Sequence, residues 1–220
     1  MMKSLSILIP IYNEEESLQS LFEELKSSFE NNQSIEIIFI NDGSSDMSQK
    51  VIENEIANHS TWKLINLYRN YGKSVALQSG IDVASNELIA TLDGDLQDDP
   101  KELINLIGEL KEYDVIVGWK KDRLDPLEKK IASKIFNFFI KLFSGLKIKD
   151  SNSGIKVLKK EVAKSLNLYG GRHRYIPLLA HQKGFNVKET PVNHRERKFG
   201  KSKYGAERYK HGFFDFMTIL

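Results

Sequence analysis

Apolar positions in the first half of the chain follow two alternating spacings. Short aliphatic runs predict strands, and the stretches between them carry apolar residues at helical spacing, as Leu18, Leu21 and Leu25 do. The predicted strands are Leu5–Tyr12, Glu36–Asn41, Trp62–Leu67, Glu87–Leu92 and Asp114–Trp119, and the predicted helices cover residues 14–30, 46–58, 73–84 and 100–112. Strands that are almost continuously apolar and separated by helices are typical of an α/β fold with a mostly parallel sheet and helices on both faces.

The pattern changes after Trp119. The sequence predicts a long helix over residues 127–144, a short strand near Gly154–Leu158, helices at about 160–167 and 173–183, and a strand near Phe185–Thr190. The chain has no repeat, no low-complexity segment and no linker long enough to separate two domains. We therefore expect one domain over residues 1–220, in which residues 119–220 elaborate the unit formed by residues 1–118.

Each of the five predicted strands in the first half is followed by a polar cluster. These clusters are Asn13-Glu14, Asp42–Asp46, Arg69-Asn70, Asp93–Asp95 and Lys120–Arg123. In open α/β sheets, ligands bind outside the carboxyl ends of the strands. We therefore expect the five loops to form one binding edge.

The charges are divided unevenly between the two halves. Residues 1–118 hold 8 Lys and Arg against 21 Asp and Glu, a net charge of −13, whereas residues 119–220 hold 24 against 9, a net charge of +15. An acidic half suits a metal ion or sugar hydroxyls, and a basic half suits phosphate, nucleic acid or an anionic membrane surface.

Two absences narrow the function classes further. The chain has no cysteine, which excludes thiolate metal sites, iron–sulfur clusters and cysteine nucleophiles and favours a reducing cytoplasm. No apolar stretch of 18 residues and no cleavable leader occurs, so this chain by itself is expected to be soluble or peripheral to a membrane.

The sequence LIATLDGDLQDDP places two carboxylates, Asp93 and Asp95, directly after an apolar strand. Mg²⁺ and Mn²⁺ prefer oxygen ligands, and at phosphate sites they take one or two carboxylates together with phosphate oxygens. We expect a metal at Asp93 and Asp95, with Gln97 adding an amide oxygen. The alternative is an acidic turn that caps the next helix, a role we assign to Asp98 or Asp99.

The loop NDGSSD combines a turn with a candidate ligand. Gly43 suits the turn, and Ser45 or Asp46 suits the cap of the next helix. That leaves Asp42 to accept hydrogen bonds from a base N–H or a ribose hydroxyl, as the acidic residue of dinucleotide folds does. The loops of this half contain neither GxGxxG nor a P-loop, which disfavours an ordinary Rossmann dehydrogenase or NTPase.

Several motifs occur along the whole chain in a specific order. The first half contains PIYNE, NDGSSD, RNYGKSVALQSG and LDGDLQDDP, a set that resembles the inverting family 2 glycosyltransferases of the GT-A fold. The second half contains GWKKDRLDP, KDSNSGIKVLKK, RHRYIPLLAHQKGF and PVNHRERKFGKSKYG. These are similar to the polyprenyl-phosphate glycosyltransferases, the group of dolichyl-phosphate mannose synthase and its bacterial undecaprenyl-phosphate relatives. The resemblance covers essentially all of the chain.

The resemblance implies roles for individual residues toward the donor. The residues implied at the nucleoside are Pro10, Tyr12, Glu14 and Asp42, with Arg69 and Lys73 nearby. Asp93, Asp95 and Gln97 hold the metal against the diphosphate of the nucleotide sugar. Arg123, with Lys120 or Lys121, is implied at the pyrophosphate or at the acceptor phosphate, and a solvated basic loop is its alternative.

Toward the acceptor, the implied chemistry needs cations rather than a base. A polyprenyl phosphate is already an anion at neutral pH, because the second pKa of a phosphomonoester is about 6. The candidate cations are His194, Arg195, Arg197, Lys198, Lys201 and Lys203. Asp150 matches an acidic position of the family, where we expect it to orient the acceptor or the sugar; a turn or cap role is its alternative.

The expected activity is metal-dependent, inverting transfer of a hexose from a UDP- or GDP-sugar to a polyprenyl phosphate at the cytoplasmic membrane face. A family 2 transferase acting on a saccharide or protein hydroxyl is the alternative enzyme, and it would need a carboxylate base, for which Asp150 is the candidate. A nucleic-acid-binding module is disfavoured, because the edge at Asp93 and Asp95 would repel a phosphate backbone in the absence of metal.

Membrane contact is expected at two segments. In residues 131–143, Lys134, Asn137 and Lys141 form a narrow polar stripe on an otherwise apolar helix, which fits a bilayer interface and a protein core equally well. The final residues, GFFDFMTIL, stop within an apolar pattern. In the family an interfacial helix there leads into transmembrane segments, so we expect the chain to be cut before them.

Overall fold

The computed structural model describes residues 4–29, 32, 34–120, 145–146, 148–193 and 195–196. Across these residues the strands are β1 (Leu5–Ile11), β2 (Ile35–Asn41), β3 (Trp62–Asn66), β4 (Leu88–Thr91), β5 (Val115–Lys120), β6 (Lys156–Lys159) and β7 (Val187–Val192). The α-helices are α1 (Glu15–Phe29), α2 (Ser48–Ile56), α3 (Lys73–Val83), α4 (Glu102–Gly108), α5 (Lys160–Ser165) and α6 (Ile176–Gln182). A short 3₁₀ helix, Arg172–Tyr175, precedes α6.

The seven strands form one sheet in the order β3-β2-β1-β4-β6-β5-β7. All strands run in the same direction except β6, which is antiparallel to both β4 and β5. The predicted mostly parallel sheet is therefore confirmed, and the five strands predicted in the first half begin and end within one residue of their predicted bounds. Two strands from the second half, β6 and β7, join the same sheet.

Both faces of the sheet are covered by helices. Successive residues of β2 point to opposite faces, so that Ile37 and Phe39 pack with α1, α2 and α4, while Ile38 and Ile40 pack with α3, α5 and α6. On the first face the rings of Phe22 and Phe39 meet edge to face, with centroids 5.6 Å apart. Burial on both faces explains why the strands carry so few polar residues.

Two helical predictions differ from the structure, and a third falls outside the described residues. The helix predicted from residue 100 begins at Glu102 and ends at Gly108, and the helix predicted over 173–183 is divided into the 3₁₀ turn and α6. Pro177 lies in the first turn of α6, where its missing N–H costs no hydrogen bond. The predicted helix 127–144, with its segment 131–143, lies outside the described residues. In the part of the chain that the structure covers, no helix has the length and apolar character needed to cross a bilayer.

The strand directions decide which loops meet. Strands β1 to β5 and β7 all end at the same end of the sheet, which we call the carboxyl edge. Because β6 is antiparallel, it begins at this edge, where Lys156 pairs with Thr91. Residues 150–153, before β6, and residues 193, 195 and 196, after β7, therefore reach the same edge as the loops that carry Asp42 and Asp93. The opposite end is the amino edge.

Candidate active site

Asp42, at the end of β2, holds the loop after β3. Its carboxylate is buried and accepts hydrogen bonds from the N–H groups of Tyr71 and Gly72, at 2.8 and 2.9 Å. Burial raises the pKa of Asp42, and the two N–H donors only partly oppose this. Gly43 has φ +67°, and a Cβ there would lie 2.3 Å from the carbonyl carbon of Arg69, so only glycine allows the two loops to approach this closely. The nucleoside role of Asp42 stays a prediction.

The loop after β1 is bound to the loop after β2. Asn13 has φ 52°, a conformation that asparagine tolerates better than most residues. Its N–H donates to Ser44 Oγ at 2.9 Å, and its Oδ1 accepts from the Ser45 N–H at 2.7 Å. Pro10 lies near the end of β1 and Tyr12 directly follows the strand, with 36% of Tyr12 exposed. The predicted nucleoside residues of β1 and β2 are thus brought together.

Glu14 and Arg69 lie at the same edge. The Glu14 N–H donates to Ser48 Oγ at 2.9 Å, and the Arg69 guanidinium lies over the ring of Tyr71, 5.0 Å from its centroid. Asp46 accepts a hydrogen bond from the Ser48 N–H at 3.0 Å, at the first residue of α2. The N-cap position itself is occupied by Met47, which makes no side-chain cap, so neither Ser45 nor Asp46 is the N-cap residue that the sequence predicts.

Lys73 connects the β3 loop to the predicted metal motif. It is the first residue of α3, directly after Gly72, and its ammonium group forms an ion pair with the Asp93 carboxylate. Burial alone would raise the pKa of Asp93, but the contact with Lys73 and the nearby charges of Lys120 and Lys156 outweigh it and hold the pKa below its usual range. Asp93 is therefore an anion at neutral pH with one oxygen already facing a cation.

Asp95 and Gln97 lie on a strained turn. The Gln97 N–H donates to Asp95 Oδ1 at 3.2 Å, and between them Leu96 has φ 62° although it is buried. A leucine in the left-handed region costs about 1 kcal/mol, and such residues cluster at functional sites. The turn keeps Asp95 and Gln97 at the edge while the Leu96 side chain packs in the core.

The donor set fits Mg²⁺ or Mn²⁺ only in part. Asp93, Asp95 and Gln97 offer carboxylate and amide oxygens, which these ions prefer. Within the described residues, however, no three acidic or histidine side chains come together to hold a metal. A metal here would therefore take its remaining ligands from phosphate oxygens and water, as Mg²⁺ commonly does at phosphate sites.

Three lysines and three aspartates crowd the carboxyl edge, and we call them the charge cluster. Its members are Lys73, Lys120, Lys156, Asp93, Asp98 and Asp150. Lys120 pairs with the buried Asp98 at 2.8 Å, and the Lys156 ammonium donates to the Ser153 carbonyl oxygen. Burial, together with the charge of Lys73, lowers the pKa of Lys156 to about 8, although the three aspartates favour its charged form.

Gly154 allows the backbone before β6 to approach the carboxylates of the charge cluster closely. A Cβ at this position would lie 2.6 Å from Asp93 Oδ2 and 2.8 Å from Asp98 Oδ2, closer than two such atoms can approach. Its carbonyl oxygen accepts a hydrogen bond from Thr91 Oγ1 at 2.6 Å, which fixes the segment before β6 against β4. The glycine of the SNSGIK motif is therefore required by the packing of two carboxylates.

Asp150 is held by a residue that the sequence analysis missed. Asp150 is buried, and its N–H donates to Glu189 Oε1 on β7 at 2.6 Å. The Lys149 N–H donates to the same oxygen at 2.7 Å, and the Lys149 ammonium lies 3.7 Å from the centroid of the Trp119 ring. Burial raises the pKa of Glu189, and the charge of Asp150 adds to this. The polar and apolar positions along β7 do not distinguish Glu189 from a solvent-facing strand residue.

His173 and Ser74 form a second pair that the sequence did not indicate. Ser74 Oγ lies 2.9 Å from His173 Nδ1 and accepts the His173 N–H at 3.0 Å. Burial lowers the pKa of His173 well below its usual value, and the charges of Lys73 and Arg174 act in the same direction. The imidazole is therefore neutral, and it fixes the first turn of α3 close to Lys73.

Of the residues predicted for the acceptor, Arg195 is described and is already engaged. Its guanidinium forms ion pairs with Glu24 and Asp99. Asp99 also accepts a hydrogen bond from the Lys101 N–H at 3.0 Å. Lys101 is the N-cap residue of α4 and makes no side-chain cap, so neither Asp98 nor Asp99 has the predicted capping role. The other candidates for phosphate binding, Arg123, His194, Arg197, Lys198, Lys201 and Lys203, lie outside the described residues.

Comparison with known proteins gives a family assignment over most of the chain. Residues 6–166 match the family model for glycosyl transferase family 2. A dodecaprenyl-phosphate galacturonate synthase of Rhizobium johnstonii is 34% identical over 98% of this chain and 66% of its own length. An undecaprenyl-phosphate 4-deoxy-4-formamido-L-arabinose transferase of Salmonella choleraesuis is 35% identical over 99% of this chain and 68% of its own length. The chain thus spans about two thirds of the length of these relatives.

Solved structures confirm the fold. A mannosyltransferase from Pyrobaculum calidifontis in complex with GDP-Man and Mn²⁺ superposes with a TM-score of 0.73 at 14% identity, over 99% of this chain and 65% of that chain. Glucosyl-3-phosphoglycerate synthase from Mycobacterium tuberculosis, in complex with Mn²⁺ and UDP-glucose, gives a TM-score of 0.74 at 16% identity, over 99% of this chain and 78% of that chain. The predicted GT-A fold and the predicted resemblance to polyprenyl-phosphate glycosyltransferases are both confirmed.

Proposed function

Because the chain belongs to glycosyl transferase family 2 and is a glycosyltransferase, we propose that it transfers a hexose from a nucleotide sugar to a polyprenyl phosphate, with inversion at the anomeric carbon. The observation that carries the proposal is the meeting of two kinds of residue at the carboxyl edge. The predicted nucleoside and metal residues of the acidic half lie there, and so do Asp150 and the start of the basic segment after β7.

The donor side of the proposal uses Asp93, Asp95 and Lys73. Asp95, with Asp93 and Gln97, would hold Mg²⁺ or Mn²⁺ against the diphosphate, where the metal neutralises charge on the leaving group. Lys73 brings a cation to the start of α3, an eleven-residue helix whose N-terminal end also favours anions. When a diphosphate approaches, the Lys73 ammonium can turn from Asp93 toward the diphosphate, whose negative charge then compensates the charge of the ammonium.

The acceptor side needs no general base. An oxygen of the lipid phosphate attacks the anomeric carbon, the bond from that carbon to the nucleoside diphosphate breaks, and its electron pair leaves with the diphosphate. The attacking oxygen carries no proton at neutral pH, because the phosphomonoester is already an anion. Asp150 would then orient the sugar or the acceptor, and it is buried in the charge cluster with Lys120 and Lys156.

The acceptor also determines where the enzyme works. A polyprenyl phosphate is embedded in a membrane, so the carboxyl edge must approach a membrane surface, and we place this contact at the cytoplasmic face. The cations proposed for the lipid phosphate are Arg123, His194, Arg197, Lys201 and Lys203. A net charge of +15 in residues 119–220 supports an anionic partner on this side. We propose no nucleic-acid partner.

The test compares acceptors that differ only in the phosphate. UDP- and GDP-sugars are supplied with Mn²⁺ to a short polyprenyl phosphate, to the same polyprenol without phosphate and to a saccharide acceptor. We expect product from the polyprenyl phosphate alone, and NMR of the product should show the anomeric configuration opposite to that of the donor. Equal transfer to the polyprenol or to the saccharide would contradict the proposal and would make Asp150 the candidate base.

A further inference from the structure

The chain that leaves β7 is attached at once to the loop that carries the predicted metal ligands. The Arg195 N–H donates to the Gln97 carbonyl oxygen at 3.0 Å, and Gln97 Nε2 lies 3.5 Å from the Arg195 carbonyl oxygen. Two residues earlier, Asn193 Nδ2 donates to Glu102 Oε1 on α4 at 2.7 Å. The segment therefore follows the Asp95–Gln97 turn rather than extending into solvent.

The Arg195 side chain completes this attachment. Its Nη1 lies 2.7 Å from Glu24 Oε1 on α1, and its Nη2 pairs with Asp99 Oδ2 ahead of α4. About two thirds of the side chain is shielded from solvent. Two carboxylates thus occupy two separate nitrogens of one guanidinium, and they raise the pKa of Arg195 although burial opposes them.

This arrangement is unsuitable for binding a phosphate. A phosphate that approached Arg195 would have to replace two carboxylates, and until it did so their negative charges would repel it. Among the residues that the structure describes, the Lys73 ammonium pairs with one carboxylate, that of Asp93. The geometry therefore separates Arg195 from the cations proposed for substrate.

We propose that Arg195 is a positioning residue that fixes the start of the basic segment to the Asp95–Gln97 loop, and that it does not bind the acceptor phosphate. The inference rests on the proposed function, because it concerns how the acceptor side is aligned with the donor side. It departs from the expectation from sequence that grouped Arg195 with the phosphate ligands. A planar guanidinium can bridge two carboxylates in fixed directions, which a lysine ammonium cannot do.

The decisive variants leave Arg195 in place and remove its partners. Glu24→Gln keeps a good helix former on α1, and Asp99→Asn keeps an oxygen that can accept the hydrogen bond from the Lys101 N–H. Glu23→Gln is the matched control, because it removes the same charge from the adjacent, exposed position of α1. Arg195→Lys tests the requirement for the bridging geometry.

We expect Glu24→Gln, Asp99→Asn and Arg195→Lys each to raise the KM for polyprenyl phosphate by roughly three- to tenfold. Glu23→Gln should leave it unchanged. The Kd for the nucleotide sugar with Mn²⁺, measured by calorimetry without acceptor, should stay within about twofold of wild type. Hydrogen exchange at the Arg195 amide should become faster in the three variants, because its hydrogen bond to Gln97 loosens.

The opposite role predicts a different pattern. If Arg195 binds the lipid phosphate, releasing Arg195 from Glu24 or Asp99 leaves the KM for polyprenyl phosphate unchanged or lowers it. Only substitution of Arg195 itself then raises this KM. That pattern, or unaltered amide exchange in all three variants, would overturn the inference. If wild type fails to use any polyprenyl phosphate, the proposed function fails, but the exchange measurement still tests the attachment.

Discussion

The two ends of the sheet both contain buried carboxylates, but the groups that surround these carboxylates differ. At the amino edge one carboxylate, Glu36, is surrounded by donors. At the carboxyl edge the charges of three carboxylates and three ammonium groups influence one another. Buried polar groups that are fully paired stabilise a fold, whereas partly compensated charges are typical of sites that bind charged ligands.

Glu36 shows what full pairing looks like. Its Oε1 accepts hydrogen bonds from Ser6 Oγ at 2.5 Å and from the N–H and hydroxyl of Ser85 at 2.7 and 2.9 Å. Its Oε2 accepts from the Lys63 ammonium at 2.7 Å. One side chain thus joins β1, β2, β3 and the connection from α3 to β4. Burial would raise the pKa of Glu36, but these donors lower it to about 2.

The charge cluster shows the contrary case. Lys156 is as deeply buried as Glu36, yet its one described hydrogen bond goes to a neutral carbonyl and the nearby charge of Lys73 opposes its own. Its pKa moves toward the uncharged form, whereas that of Glu36 moves toward the charged form. The comparison teaches that the amino edge is arranged for stability and that the carboxyl edge keeps charge available for a ligand. Three substitutions test this difference.

The largest effect is expected from Asp95→Ala, at the carboxyl edge. Loss of a carboxylate that holds the metal against the diphosphate should reduce transfer by about a thousandfold, equivalent to about 4 kcal/mol in the transition state. Because Asp95 is partly exposed, the melting temperature should change little. Transfer of radiolabelled sugar and thermal unfolding measure the two effects separately, and Asp93→Ala should lose transfer similarly.

The control for this prediction is chelation. EDTA should reduce wild-type transfer to the level of Asp95→Ala, and it should have no further effect on the variant. Wild-type turnover in Asp95→Ala, together with full activity in EDTA, would remove the metal from the mechanism and would contradict the proposed difference between the edges.

Most of this fold was predictable because its signals are local. Aliphatic runs such as ILIPI and EIIFI are compatible only with strands buried on both faces, and the order of strands and helices then fixes the direction of the sheet. Asp42, Asp93 and Asp95 were placed at one edge by the same reasoning. The antiparallel insertion of β6 between β4 and β5 was not predictable, because it depends on pairing between residues far apart in sequence.

The details of the site were less predictable for a related reason. Glu24 and Arg195 are 171 positions apart in the sequence, and Ser74 and His173 are 99 apart, so no spacing rule connects them. Asp98 and Asp99 were equivalent as candidate caps, and only the structure shows that Asp98 is buried against Lys120. Sequence pattern identifies which residue types reach an edge, but tertiary contacts decide which of them remain available to a ligand.

The second effect is expected at the amino edge, from Glu36→Ala. Removal of the carboxylate leaves the Ser6 and Ser85 donors without their acceptor and should lower the free energy of unfolding by about 3 kcal/mol. Nucleotide-sugar binding at the other edge should be unchanged, as measured by calorimetry on the folded variant. Glu87→Ala, an exposed carboxylate at the same edge, is the matched control and should change stability by less than about 0.5 kcal/mol.

Acid titration sharpens the same prediction. The pKa of Glu36 is about 2 in the folded protein against an ordinary value of 4.5, so its stabilising contribution is complete above about pH 4.5 and is lost as the pH falls toward 2. Urea unfolding of wild type between these limits should therefore show a steeper loss of stability than Glu36→Ala shows. Parallel curves would mean that Glu36 does not stabilise the amino edge through its charge.

The smallest effect at each step of its measurement is a rise of stability in alkali, and it belongs to Lys156. Its pKa is about 8 in the folded protein against an ordinary 10.5, so between these values the unfolded chain binds a proton that the folded protein has released. The free energy of unfolding should therefore increase with pH over this range, by up to about 1 kcal/mol per pH unit. Lys73 opposes the charged form of Lys156, while Asp93, Asp98 and Asp150 favour it.

Other groups titrate in alkali, so the measurement is the difference between metal-free wild type and Lys156→Met in urea unfolding at several pH values. Lys156→Arg, which stays charged throughout, should lack the rise as well and serves if the methionine variant does not fold. A wild-type curve parallel to both variants would show that Lys156 is fully compensated, and the two edges would then not differ in the way proposed.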